Sequence, residues 1–199
     1  MKNSFVIILL ISILLVSGCA GRLTKQDIET VKVVAIENTF LDFPTFTVIG
    51  TTVFNNDHGL IKDKSFKNYI TQTTKNILKR KGYKVVIQKD EKAVPADIHL
   101  KIIPSKIHDM IGTFGYGVHE KSAYSINVNT FGYIALNLQA NIKGEIKGHS
   151  HSTKTSDLVI SDLPESWLSL SRGDRISTRN ALKRIIILAL KESIEAIGL

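Results

Sequence analysis

One cysteine in 199 residues leaves no partner for an intramolecular disulfide and no basis for a multi-cysteine zinc site. Internal repeats and low-complexity tracts are absent, and prolines number only four, which excludes a collagen-like or repeat architecture. Catalytic signatures are missing as well. There is no Gly-x-Ser-x-Gly elbow, because Gly148-His-Ser-His-Ser152 lacks the final glycine, and no His-Glu-x-x-His. The glycine-rich stretch 112–117 is followed by a β-like segment rather than a helix and carries no Gly-Lys-Ser/Thr, so it does not form a phosphate cradle. Acidic charge is the scarcer sign: 18 Asp and Glu stand against 26 Lys and Arg, for a net charge of +8. With 43% hydrophobic and 22% charged residues the chain is neither disordered nor short of material for one hydrophobic core.

The first nineteen residues carry the most information. Lys2 is a basic start, and Phe5 to Val16 form an apolar run interrupted only by Ser12. A bilayer span needs ~20 apolar residues, so this run reads as a secretory signal. It ends in Leu15-Val16-Ser17-Gly18-Cys19, which resembles the bacterial lipobox: an aliphatic residue, two small residues, then cysteine. The resemblance implies cleavage between Gly18 and Cys19, a diacylglyceryl thioether on Cys19, and acylation of the new amine. The only thiol of the chain would thereby be committed to lipid. Ala20 follows Cys19, and by resemblance to the enterobacterial sorting rule the absence of Asp there favours the outer membrane. The expected organisation is a signal over 1–18, a lipidated N-terminus and short tether over 19–30, and one domain over 31–199.

Within that domain, Val31–Ile36 and Phe46–Val53 read as strands rich in β-branched residues. Asp63 or Ser65 caps a predicted helix that runs to Lys81, carries Phe66, Tyr69, Ile70, Thr73 and Ile77 at helical spacing, and stops at Gly82. Residues 83–88, 98–102 and 124–128 read as short strands. From Gly132 to Lys147 the even positions Ile134, Leu136, Leu138, Ala140, Ile142 and Ile146 are apolar and the odd ones polar, which predicts one long amphipathic strand. A polar connector follows Ser150, and Ser177 or Thr178 caps a last helix through Leu182, Ile185, Ile186, Ala189 and Ile194 to Gly198. The order β-β-α-β-β-β-β-α predicts an α+β fold, with two main helices packed on one face of a mixed or antiparallel sheet.

The helix–Gly82–Tyr83–strand unit, the strand after Ile98, the long strand from Gly132 and the terminal helix together resemble small envelope lipoproteins. These are of the YajG type and include the N-terminal domains of TolB- and CsgG-like proteins. The polar, Trp-bearing connector over 150–176 departs from that layout. The resemblance implies no enzymatic activity and no cofactor.

Candidate contact residues are of two kinds. Lys75, Lys79, Arg80, Lys81 and Lys84 cluster at the end of the first helix and the start of the next strand. They suit the helix dipole and solvent, or anionic headgroups. The glycine-rich stretch reads as a hairpin or crossover whose Phe114 and Tyr116 suit a contact surface, and Phe40, Phe43 and Phe46 suit the top of the core, a partner or ligand edge, or a membrane-touching loop. His149 and His151 fall on the solvent-facing register without a third ligand, so no metal site is expected. His119-Glu120 becomes an acid–base pair only if the fold supplies a third group. Export leaves nucleic acid out. The functional expectation is a membrane-anchored, periplasm-facing binding or assembly module with an envelope protein as partner. The alternatives are a carrier of a small apolar or anionic ligand and, behind it, a hydrolase of envelope polymers.

Overall fold

The strongest alternation in the chain becomes its central strand. In the computed structural model, Ile134, Leu136, Leu138 and Ala140 are fully buried on one side of a strand spanning Asn129–Ile142. The structure describes residues 21–49, 57–61, 63–88, 94–121, 129–158 and 172–199. The expected signal, Gly18, Cys19 and the strand at 124–128 lie outside them.

Among the described residues there are eight strands and three helices; the strands are β1 (Val33–Asn38), β2 (Thr45–Ile49), β3 (Asp57–Leu60), β4 (Lys84–Ile87), β5 (Ile98–Pro104), β6 (Tyr116–Lys121), β7 (Asn129–Ile142) and β8 (Glu145–Asp157). The helices are α1 (Lys25–Glu29), α2 (Ser65–Arg80) and α3 (Arg172–Ala196). β8 pairs along nearly all of β7. The other edge of β7 is shared end to end: β6 pairs over Asn129–Ile134 and β5 over Leu136–Asn141. The sheet therefore forks. β2 and β3 continue from β6, while β1 and β4 continue from β5, with β1 parallel to both β5 and β4. This is the α+β architecture expected from the sequence, a mixed sheet with α2 and α3 side by side on one face.

The helix face holds the core. Leu182, Ile185, Ile186, Ala189, Leu190, Ile194 and Ile197 of α3 and its C-terminal end meet the even residues of β7 and the side chains of α2. Each such burial contributes about 1.5–3 kcal/mol over leaving the side chain in water. On α2 the buried set is Phe66, Ile70, Thr71, Thr74, Ile77 and Leu78. Neither Asp63 nor Ser65 is its N-cap: that position is Lys64, which makes no side-chain cap bond, and Asp63 Oδ1 instead accepts the Ser65 amide at 3.0 Å. Gly82, at φ 95°, ends it.

Four expectations are corrected. The strand predicted over 132–147 is a hairpin. Lys143 (φ 53°) and Gly144 (φ 88°) both take left-handed backbone, as a type I′ turn requires, and β8 returns through the supposed polar connector. A register irregularity at Ala140/Asn141 then places Ile146 opposite Asn141, on the polar face, where it is 56% exposed. The last helix starts at Arg172, not at Ser177 or Thr178: Thr178 is buried, and the Ser177 hydroxyl donates to Asp174 O within the helix. Finally, residues 21–30 are not a free tether. The Leu23 amide donates to Ile197 O at 2.9 Å, its side chain is 3% exposed in the core, and Thr24 and Asp27 form a capping box that starts α1.

Candidate functional site

The face of the sheet opposite the helices is covered locally by the connection from β5 to β6. Residues 105–115 fold back over Tyr133, Thr47 and His119 and are held there by backbone and side-chain bonds. Ser105 N donates to Ala135 O (3.0 Å), Ala135 N to Gly115 O (2.6 Å) and Gly115 N to Ser105 O (2.8 Å), closing the loop at the point where β7 changes partner. Inside it, Ile107 N donates to Thr113 Oγ1 (3.2 Å) and Thr113 Oγ1 to Met110 O (2.8 Å). From beneath, Thr47 Oγ1 donates to Gly112 O at 3.0 Å, and the Tyr133 hydroxyl both accepts the Phe114 amide at 3.1 Å and bonds Thr45 Oγ1. With its backbone groups so engaged, the loop turns its apolar side chains outward: Ile111 is 77% exposed, Met110 40% and Phe114 38%. An open groove of about 750 Å³ separates this tip from His151 on β8.

Of the two aromatics that the sequence assigns to a contact surface, Phe114 is exposed on the loop and Tyr116 is buried. Tyr116 opens β6, pairs with Ile134, and points into the helix-side core against Phe40 (5.3 Å between ring centroids) and Phe66 (6.0 Å). Its hydroxyl donates to Leu41 O, and burial pushes the phenol pKa up. The sequence reading counts Tyr116 with the loop because glycines flank it on both sides. Strand alternation instead turns it inward. Phe40 and Phe46 are core residues, while Phe43 is half-buried under the Lys64 ammonium at 5.6 Å.

His119 is 5% exposed, stacked on Phe131 at 5.0 Å, with Nε2 3.3 Å from Ile111 O. These contacts tie it into the support of the loop. The Glu120 side chain lies outside the described residues. His149 and His151 are exposed, as expected from their register. His149 Nδ1 accepts the Gly21 amide (3.2 Å), and His151 Nδ1 sits 2.9 Å from Asn137 Oδ1. Among the described residues no cluster of three or more His, Cys, Asp or Glu can hold a metal.

A second surface forms at the other end of β5. The register brings the starts of β1, β4 and β5, the β7–β8 turn and the C-terminal ends of α2 and α3 to one end of the fold. Lys79, Arg80, Lys81 and Lys84 are exposed there, with Lys75 half-buried one turn back on α2. No carboxylate among the described residues pairs with them. Asp97 accepts the amides of Lys32 and Val33 at 2.8 Å each, and these bonds hold its carboxyl below the usual carboxylate range. Of the five cations that the sequence groups, four are thus exposed at this end and Lys75 is set back from them. What the sequence does not show is that Gly21 and Leu23 are bonded to His149 and Ile197, at the β8 edge of the sheet and level with the middle of β5.

No family model and no curated protein matches the chain. Solved structures do resemble it. Protein XCC0632 from Xanthomonas campestris, of the family DUF330, superposes with a TM-score of 0.50, covering 84% of each chain at 9% identity. Two crystal forms of the PelC dodecamer from Paraburkholderia phytofirmans give TM-scores of 0.40 and 0.41 at 10% and 11% identity, over 83% of this chain and 85% and 86% of PelC. At 9% identity the XCC0632 likeness speaks to the fold alone. Among the described residues, no helix is long and apolar enough to cross a membrane.

Proposed function

We propose that the protein is a lipid-anchored module of the bacterial envelope that works by contact with another envelope component, not by catalysis. The observation that carries this reading is the leader ending in Val16-Ser17-Gly18-Cys19, with the chain's single thiol at the position where lipid is attached. Two acyl chains or more, at about 0.8 kcal/mol per buried CH₂, would make the attachment effectively permanent. Ala20 after Cys19 favours the outer membrane, with the domain facing the periplasm.

Support for a contact role comes from the loop 105–115. An apolar tip on a loop whose backbone is already bonded loses little conformational freedom when a partner covers it, and that favours binding. Met110, Ile111 and Phe114 are the side chains such a partner would bury. Metabolic palmitate labelling tests the anchor: label present in the native chain and lost in Cys19→Ser is the expected result, and equal labelling removes the proposal. A photocrosslinker at position 111 tests the contact role, with one dominant envelope protein expected. Capture no greater than from a probe at exposed position 155 on β8 would count against the loop as the contact face.

A further inference from the structure

We propose that the protein forms a two-fold dimer in which the free edge of β8 pairs with the same edge of a second copy. The register shows which way that edge turns its backbone. Ala135 N donates to Gly115 O and Ala135 O accepts the Ser105 amide, so both groups turn away from β8. Thr153, opposite Ala135, must then turn its own groups away from β7, and so must His151, Thr155 and Asp157 in the same phase. The His149 amide shares that phase and is taken by Gly21 O at 2.7 Å. Among the described residues nothing bonds the outward amides of His151, Thr153 and Thr155. Natural proteins blunt long edges with proline, lysine or a bulge. The other two edges, β3 and β4, have only four residues each. From His149 to Asp157, β8 carries no proline and no register shift, and Lys154 is engaged with Glu192 on the helix side.

Gly21 decides how two such edges can meet. An antiparallel strand from the copy must stop before His149, and β8 stops at Asp157. The longest overlap that clears Gly21 sets His151 opposite the copy's Asp157 and Thr153 opposite its Thr155, with Lys154 on the axis. The outward residues of both chains then exchange amide–carbonyl bonds in both directions. An imidazole faces a carboxylate at each end and threonines face each other between, pairings that favour antiparallel strands. The two Lys154 ammonium groups, on the helix side, each keep their own Glu192.

The helix beside the edge has the same symmetry. Ser150 Oγ donates to Ser193 O, Lys154 pairs with Glu192, and Arg184 donates to Ser156 Oγ at 3.3 Å. α3 therefore runs antiparallel to β8 and sets Leu188 near the level of Lys154. Arg184, Leu188 and Glu192 are spaced four apart and share one flank of the helix. Leu188 is 50% exposed there. Rotation about the axis lays Leu188 against the copy's Leu188 and sets Arg184 facing the copy's Glu192. α3 packs on both β7 and β8. Two helices so placed and related by the axis lie two strand spacings apart, about 9.6 Å, inside the 8–10 Å at which helices pack. The free strand edge, the opposite charges and the exposed leucine thus share one axis, and a second copy satisfies all three.

The test uses the full chain in a Cys19→Ser background, purified in mild detergent, so that an introduced cysteine is the only thiol. Lys154→Cys stands on the axis, where facing Cα atoms of an antiparallel pair are ~4.5 Å apart and a disulfide fits. Air oxidation should link this variant into dimers. His151→Cys lies about 20 Å from its own mate and should stay reduced alone, yet link when mixed with Asp157→Cys. Sedimentation equilibrium of the native chain should give twice the chain mass. Leu188→Glu, at a position already half in solvent, should weaken association roughly tenfold or more, with an unchanged circular dichroism spectrum to show that it is folded. A photocrosslinker at position 155 should give adducts of the chain with itself and with no other envelope protein. A monomer at the highest soluble concentration overturns the proposal. So does equal self-linking of His151→Cys and Lys154→Cys, or a larger assembly indifferent to Leu188→Glu.

Discussion

Leu23→Ala probes the place where fold and anchor meet. The side chain is 3% exposed, lies against the backbone of β8 (a Cβ on Gly148 would come within 3.2 Å of Leu23 Cγ), and belongs to the same cluster as Ile197 and Leu199. Truncation removes three carbons, about 2.4 kcal/mol at ~0.8 kcal/mol each. A cavity term adds to this, kept small because a segment near the chain end can collapse into the space. The expected loss is about 3 kcal/mol, or some 6–12 °C in melting temperature at 2–4 °C per kcal/mol for a domain of this size. Urea denaturation gives the global value. Hydrogen exchange at the His149 amide, bonded to Gly21 O at 2.7 Å, reports whether residues 21–30 peel away before the rest. A variant within about 0.5 kcal/mol of the native chain, with the His149 amide unchanged, would refute the reasoning. The segment would then be the loose tether that its composition suggests.

Two further perturbations bear on the core and on pH. Ile185→Asp puts a charge on a side chain that is 3% exposed between α3 and the sheet and should cost more than about 3 kcal/mol. Lys183→Asp forfeits only the ammonium over the Tyr69 ring at 5.1 Å, about 0.5–1 kcal/mol, so matching melting temperatures would mean the buried stripe is misassigned. For pH, partial burial of Asp63 would raise its pKa. The amide and hydroxyl of Ser65 and the Arg179 guanidinium outweigh this and hold it low, and two backbone amides do the same for Asp97. Folded pKa values below the unfolded ~3.9 mean stability that is present above that pH and lost as the pH falls through the folded values. The stability gap between the native chain and Asp63→Asn/Asp97→Asn should therefore be widest near neutrality and close below about pH 4. A gap equally wide at pH 3 and pH 7 would contradict it.

Hydropathy alternation made β7, β5 and the stripe of α3 legible, because those elements bury large apolar side chains on one side only. β8 alternates too, but in size. Gly148, Ser150 and Ser152 are its buried residues, and the helix lies so close that the Ser150 hydroxyl donates to Ser193 O at 3.1 Å. A pattern of small polar residues facing a helix looks, on a hydropathy reading, like a loop. The hairpin before it escaped notice for a related reason. Lys-Gly is a weaker signal for a type I′ turn than Asn-Gly or Asp-Gly, and Ile146 happened to continue the even-numbered apolar series across it.

The candidate surfaces divide along the same line. A run of lysines at a helix C-terminus is visible in any sequence, and so is a loop with Met110, Ile111 and Phe114. Their meaning depends on where the chain enters the domain, which composition cannot give. Residues 21–30 carry Lys25, Gln26, Glu29 and only a few apolar side chains, the profile of a linker. Yet Leu23 is driven into the core, and the bonds of Gly21 to His149 pin the entry of the chain to the edge of β8, level with the middle of β5. From that one buried leucine it follows that residues 21–30 belong to the domain and are not a linker to it: the Leu23 side chain and the Thr24–Asp27 capping box fix their path from the edge of β8 to the start of β1. A linker of the same composition without a leucine at that point would have nothing to bury and no reason to follow the sheet.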